Sequence, residues 1–191
     1  MQSVSSTYLN KSDLRRAVLA ELKLLTARQK DDYSAAIQTK LTAKLNTQAG
    51  TWAAFQPMGS EPKINWSVVS QKIQWCFPLV IDNNLFFKHS VKSFWMNQWG
   101  FNEPVDGVLI SANELTGLVI PGLAYDLVGT RLGRGQGYFD RALKNYTGFK
   151  IGVCFNLALR DYVFAEDHDL RCHSILTEIK TVEIEGVKSW N

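Results

Sequence analysis

Residues 118–141, LVIPGLAYDLVGTRLGRGQGYFDR, restrict the possible folds of this chain more than any other stretch. Leu118 to Ile120 read as a buried strand. A loop follows that carries Gly129, Gly133, Gly135 and Gly137, and it opens into a helix at Tyr138, Phe139 and Asp140. Glycines at alternate positions let the backbone turn with positive φ and bring N–H groups close to a ligand. The helix start adds free N–H donors and a positive dipole end. Arg131 and Arg134 lie in the same loop, and guanidinium groups match phosphate oxygens. Strand, glycine loop, arginines and helix together describe a phosphate cradle. A tight surface turn with solvated arginines is the plainer reading of the same residues.

The rest of the chain fits a layered α/β fold around that unit. Residues 12–25 form one predicted helix, capped by Ser12, with Leu14, Val18, Leu22 and Leu25 at helical spacing. A second begins at Thr26, where Thr26 and Gln29 make a capping box and Tyr33, Ile37, Leu41 and Leu45 make an apolar stripe. Both stripes read as core packing. Strands are predicted at 51–55, 73–80, 84–88, 117–120 and 149–155, with short helices at 65–71 and 138–146. Strands alternating with helices imply a largely parallel or mixed sheet covered on both faces. No repeat, low-complexity tract or Pro/Gly/Ser-rich linker divides the chain, so residues 1–191 are expected to form one domain.

Composition narrows the function classes. Hydrophobic residues are 46% of the 191, enough for a full core, and 21 Lys+Arg against 18 Asp+Glu give a mild +3. That charge suits a small anionic ligand and does not point to nucleic acid. Cys76, Cys154 and Cys172 are widely spaced, form no CxxC pair and fall in or near apolar runs, which predicts buried thiols in a reducing compartment. His89, His168 and His173 do not combine with them at zinc spacing. Residues 1–10 lack an apolar h-region, Asp13 and Glu21 argue against an organelle presequence, and apolar stretches fall short of a membrane span. A cytoplasmic protein with no membrane association is expected. For most of the six tryptophans (52, 66, 75, 95, 99 and 190) core packing is expected in preference to ligand contact.

Two common nucleotide motifs fail. The dinucleotide fingerprint GxGxxG needs a glycine where Tyr138 or Asp140 stands, and no GxxxxGK[ST] run exists. RLGRGQGYFDR instead resembles the signature loop of the formyltetrahydrofolate cyclo-ligase family, RLGxGxGYYDR, with its PGLAFD lead-in present as Pro121 to Asp126. The resemblance runs through most of the chain. Lys11, Leu14 and Arg15 match a KxxLR opening; Thr26, Arg28 and Ser34 fit the next helix; Glu61 fits an acidic position after the first strand; Lys72 and Pro78 bracket the second main strand. Gly100, Phe101, Glu103 and Pro104 match a GxxEP turn, and His168, Asp169, Thr177 and Glu178 a C-terminal hD…iTe pattern. Departures fall at Pro62–Ile64, Phe139, Ala158, Phe164 and His173.

The resemblance implies a three-layer, Rossmann-like and CoA-transferase-like α/β domain. It implies a monomer or weak homodimer that binds no nucleic acid and converts 5-formyltetrahydrofolate to 5,10-methenyltetrahydrofolate, with ATP as co-substrate and Mg²⁺ as cofactor. It assigns Lys11, Arg15 and residues 131–139 (Arg131, Leu132, Gly133, Arg134, Gly135, Gln136, Gly137, Tyr138 and Phe139) to ATP. Arg131 and Arg134 are its catalytic candidates. Gln56, Glu61, Arg134, Gly135 and Tyr138 fall to the folate, and Asp140 and Asp169 to the metal. Plainer readings stand beside these: Lys11 and Arg15 as solvated cations on one helix face, Asp140 as a carboxylate complementing a helix dipole, Glu61 as a loop residue. Two other functions remain open at this level: a binding relative without turnover, and an unrelated α/β oxidoreductase, which the failed fingerprint counts against.

Overall fold

A computed structural model describes residues 10–97 and 100–186. The expectations for residues 1–9, Trp99 and Trp190 lie outside the described residues. Helix α1 (Lys11–Leu24) is capped by Asn10, whose side chain accepts from the Ser12 and Asp13 amides. Ser12 is therefore not the cap; Asn10 is the better side-chain acceptor two residues earlier, and the helix starts at Lys11. Helix α2 (Ala27–Leu45) has the expected capping box between Thr26 and Gln29. Leu14, Val18 and Leu22 of α1 and Ile37, Leu41 and Leu45 of α2 are all buried in one apolar core.

The central sheet has eight strands. In chain order they are β1 (Gly50–Ala53), β2 (Ile73–Ile81), β3 (Asn84–His89), then β6 (Val108–Ile110), β7 (Gly117–Pro121), β10 (Phe149–Val153), β12 (Ser174–Leu176) and β13 (Thr181–Glu183). Between them lie a hairpin of β4 (Phe94–Met96) and β5 (Asn102–Pro104), and a small sheet of β8 (Ala124–Asp126), β9 (Arg131–Leu132) and β11 (Leu159–Arg160). The large sheet runs β13-β12-β10-β7-β1-β2-β3-β6. Its inner five strands are parallel and its outer three pair antiparallel, which makes it the mixed sheet that the sequence implied. Short helices α3 (Trp66–Val69) and α4 (Tyr138–Ala142) complete the elements that flank it.

The order reverses beside β1: the chain steps outward from β1 to β2, then returns to set β7 on the other side. In parallel sheets the crevice beyond the carboxyl ends at such a reversal is where ligands bind. Helix α4 is shorter than the predicted 138–146, because Leu143 leaves helical geometry and the chain turns through Tyr146 into β10. Trp52 and Trp66 pack in the core as expected, but Trp95 on the β4–β5 hairpin is 71% exposed. Cys76, Cys154 and Cys172 are buried free thiols. Burial pushes the Cys76 and Cys172 thiols up to about 12 and Cys154 higher still, so none is a nucleophile at neutral pH. No helix among the described residues is long and apolar enough to cross a membrane.

Candidate active site

The crevice at the reversal is a cleft of about 490 Å³. Its floor is formed by residues just past the carboxyl ends of β1 and β7: Phe55, Gln56 and Met58 on one side, Pro121 and Leu123 on the other. One wall is Pro78, Leu79, Val80 and Leu85 of the β2–β3 hairpin, with Phe101 to Glu103 beside it. The opposite wall is the glycine loop, which contributes Arg131, Gly133, Arg134, Gln136, Gly137, Tyr138 and Phe139.

The loop backbone needs its glycines for two distinct reasons. At Gly133 a side chain would put Cβ 2.6 Å from the Arg131 guanidinium, so anything larger would displace that group from its place on the Pro121 carbonyl. At Gly137 the backbone has φ 65°, a left-handed conformation that starts α4 and that glycine adopts without strain.

Each charged group in the cleft is held by a partner. Glu61 is buried; one carboxylate oxygen accepts from the Met58 amide at 2.9 Å and the other from Arg134 Nε at 3.2 Å. Burial raises the Glu61 pKa, and the facing Arg134 charge and the Met58 bond offset part of that rise. Arg134 also donates to Ser60 Oγ at 2.7 Å. Arg131 is buried, donates from Nε to the Pro121 carbonyl at 2.9 Å, lies over the Phe139 ring and faces Asp140 at 3.8 Å. Glu103 accepts from the Val80 amide at 2.9 Å and so fixes the β4–β5 hairpin to β2.

The other expected ligands lie on the far side of the same loop, against α1. Arg15 donates from Nε to the Gly133 carbonyl at 2.9 Å. Lys11 donates to both carboxylate oxygens of Asp169, at 2.8 and 2.9 Å, and pairs with Glu166 at 3.0 Å. Burial alone would lower the Lys11 pKa, but the bonds to Asp169 and Glu166 outweigh it and hold the ammonium charged. Asp140 is brought next to this group by the Leu170 amide, which donates to its Oδ1 at 3.3 Å. Thus Asp140 and Asp169, 29 residues apart in sequence, meet around one peptide.

The structure therefore divides the expected residues in two. Gln56, Glu61, Arg131, Gly133, Arg134, Gln136, Gly137, Tyr138 and Phe139 line the cleft. Lys11, Arg15, Asp140 and Asp169 do not line it: Lys11 pairs with Asp169, Arg15 holds the Gly133 carbonyl, and Asp140 lies between the Leu170 amide and Arg131. Gly135 is exposed at the loop tip above the Arg15 guanidinium, and Leu132 is buried in the core with its carbonyl engaged by the Leu123 amide. Sequence reading missed the apolar wall of Pro78 to Leu85. Alternating residues of a hairpin look like core, and only the fold turns one face of this hairpin toward the loop. Among the described residues no three or more His, Cys, Asp or Glu side chains cluster at metal-binding spacing.

The chain is similar to known proteins over most of its length. A family model described as the 5-formyltetrahydrofolate cyclo-ligase family matches residues 8–178. The 5-formyltetrahydrofolate cyclo-ligase of Escherichia coli K12 is 30% identical over 112 residues, 56% of this chain and 62% of that protein. The chain thus spans under two thirds of that relative's length in the match. The enzyme of the same name from Mycolicibacterium smegmatis is 28% identical over 185 residues, 88% of this chain and 93% of its own. Among solved structures, a 5,10-methenyltetrahydrofolate synthetase from Aquifex aeolicus superposes with a TM-score of 0.76 at 24% identity, covering 95% of this chain and 96% of its own. One from Mycoplasma pneumoniae gives 0.73 at 22% identity, with 89% and 99% covered. At these identities the two structures speak to the fold.

Proposed function

The chain belongs to the 5-formyltetrahydrofolate cyclo-ligase family, and from that premise we propose that it converts 5-formyltetrahydrofolate, with ATP and Mg²⁺, to 5,10-methenyltetrahydrofolate, ADP and phosphate. The observation that carries the reading is the two-sided glycine loop: an apolar cleft with one buried ion pair on one side, and cations with paired carboxylates on the other. Two dissimilar substrates that must exchange a phosphoryl group require such a shared wall.

The chemistry sets what each side must do. The formyl oxygen on nitrogen 5 is a poor leaving group. Transfer of the γ-phosphoryl to it gives an imidate-like phosphate. Nitrogen 10 of the same molecule then attacks the formyl carbon, a C–N bond forms, phosphate leaves with the oxygen, and nitrogen 10 gives up its proton. Ring closure is intramolecular, so holding the substrate bent supplies much of the rate. Phosphoryl transfer needs alignment and charge neutralisation in preference to covalent help from the protein.

In this reading Glu61 accepts N–H donors of the pterin. Its buried carboxylate lines the cleft, and each oxygen already engaged by Met58 or Arg134 keeps a second lone pair. Leu79, Leu85 and Tyr138 supply apolar contact for the flat rings. Arg131 and Arg134 balance charge on the group in transfer, Arg131 from a buried and fixed position. Lys11 and Arg15 take the phosphates, Lys11 by exchanging its present carboxylate partners for phosphate oxygens. Asp140 and Asp169 offer the hard oxygen donors that Mg²⁺ prefers, and two suffice for an ion that keeps several waters. The ammonium now paired with Asp169 supports the fit, since that carboxylate already holds a cation. When bound, Mg²⁺ neutralises phosphate charge beside Asp140 that this carboxylate would otherwise repel.

The direct test is absorbance. The methenyl product has a near-ultraviolet band that the formyl substrate lacks. The purified chain with 5-formyltetrahydrofolate, ATP and Mg²⁺ should produce that band, and omission of ATP should abolish it. No band under any of these conditions overturns the reading.

A further inference from the structure

Arg141 is an exposed residue of α4 next to the cleft-lining Tyr138, and none of the roles above uses it. One terminal nitrogen donates to the Gln136 carbonyl at 2.7 Å and the other to the Asn83 carbonyl at 3.2 Å. The guanidinium lies 5.3 Å from the centre of the Tyr138 ring. It thus ties the glycine loop to the tip of the β2–β3 hairpin, where Asn83 adopts φ 63°. Arg131 and Arg134 each face a carboxylate; among the described residues no carboxylate lies within ion-pair distance of Arg141. Two neutral carbonyls orient its fork without cancelling its charge, and a guanidinium has five N–H donors to place.

Beside it is a second cavity of about 90 Å³, bounded by Asn84 and Ala142 as well as Arg141. Asn83, Leu85 and Tyr138 line both this cavity and the main cleft, so the two adjoin across these residues. A ligand entering along that wall passes from the Glu61 end, over Leu85 and Tyr138, to an uncompensated cation.

We propose that Arg141 and this side cavity form a subsite for a carboxylate at the far end of the substrate, the glutamyl end of a folate. The proposal rests on the folate reading of the main cleft. A phosphate of the nucleotide is the other anion that a guanidinium could take, and the test separates the two.

Steady-state kinetics of the full chain with 5-formyltetrahydrofolate, with 5-formyltetrahydropteroate, which lacks the glutamyl tail, and with varied ATP decide it. The wild type should prefer the glutamylated substrate. Arg141→Gln should raise KM for that substrate by about tenfold, the loss of one charge-assisted contact, with kcat moving much less. The preference over the tail-less substrate should then collapse, Arg141→Lys should restore part of it, and added salt should narrow it in the wild type. An equal rise for both substrates would reduce Arg141 to a strut between loop and hairpin. A rise confined to ATP would assign the subsite to phosphate. If Arg141→Gln does not fold, a wild-type preference that is absent or indifferent to salt overturns the proposal. A wild type that turns over neither substrate removes the folate reading itself, and this subsite with it.

Discussion

The two sides of the glycine loop differ in how their charges are held. On the cleft side a buried Glu61 and a half-buried Arg134 pair within a largely apolar wall. On the α1 side Lys11 and Asp169 pair with side chains 15% and 9% exposed, the pair extends to Glu166, which is 54% exposed, and Asp140 sits beside it against the Leu170 amide and Arg131. A buried ion pair is expensive to separate, because each desolvated charge needs its partner. A part-exposed network exchanges partners readily, since water and incoming ions replace what is lost. In the proposed reading the cleft side therefore stays rigid around a flat ring. In the proposed reading the α1 side, open to water at Glu166, trades carboxylates for phosphates and a hydrated cation.

The comparison breaks most sharply at Asp140. Asp140→Asn keeps the acceptor for the Leu170 amide and removes the charge. Turnover should fall by at least about 100-fold, roughly 2.7 kcal/mol of transition-state stabilisation. Excess Mg²⁺ should restore part of it by mass action. Turnover across a Mg²⁺ series, alongside a melting curve, checks this. If the only consequence is a stability change of about 0.3–1 kcal/mol from the lost helix-end charge, the α1 side holds no metal.

Lys11→Ala should weaken ATP binding by about one to two orders of magnitude, the loss of a charge-assisted contact worth roughly 1.5–3 kcal/mol, and leave folate binding nearly unchanged. Calorimetric titration with each ligand measures both. Glu61→Gln should do the opposite, raising KM for the folate by about tenfold while KM for ATP holds. Were ATP affinity to collapse in Glu61→Gln with folate affinity intact, the two sides would have to be exchanged.

The smallest effect lies away from both sides and serves as their control. His173 is buried, with Nδ1 accepting from the Lys150 amide at 3.1 Å. Burial first, and then the nearby Lys150 charge, lowers its pKa to about 4. Its folded pKa is thus below the unfolded value, so the unfolded chain binds the extra proton first. Stability should be intact above about pH 6.5 and decline toward pH 4, on the order of 1–3 kcal/mol. Urea unfolding at pH 7, 5.5 and 4 measures it, and His173→Gln should flatten the dependence. A decline equally steep in His173→Gln would move the cause elsewhere, with the carboxylates of the α1 side as the first place to look.

Much of this was legible in the sequence because short-range rules governed it. The α2 capping box, both helix stripes, the five main strands and the strand–loop–helix unit at 118–141 follow from local periodicity and turn chemistry. The α1 start was misplaced by one residue because Asn10 and Ser12 are both good caps, and only geometry decides which side chain reaches the free amides. Strands β4, β5, β6, β8, β9, β11, β12 and β13 have at most three residues, apart from the pattern that identifies a strand. The site followed the same division. Lys11, Arg15, Glu61, Asp140 and Asp169 could be named from motifs, but nothing local tells which side of the loop each one faces. The wall from Pro78 to Leu85 and the bond of Arg141 to Asn83 depend on a hairpin folding over α4 from some 50 residues away.

The bond between Lys11 and Asp169 joins residues 158 positions apart. In time as well as space, then, this half of the site closes late. Helix α1 is synthesised first, yet the partner that orients its lysine is added after β10, and contacts of such sequence separation form slowly. A nascent chain that already contains the whole glycine loop still has Lys11 unpaired and Asp140 without the Leu170 amide. On the proposed reading, a fragment that ends before Asp169 and Leu170 lacks the partners of Lys11 and Asp140, so binding of phosphate and cation together would report that synthesis has passed those residues.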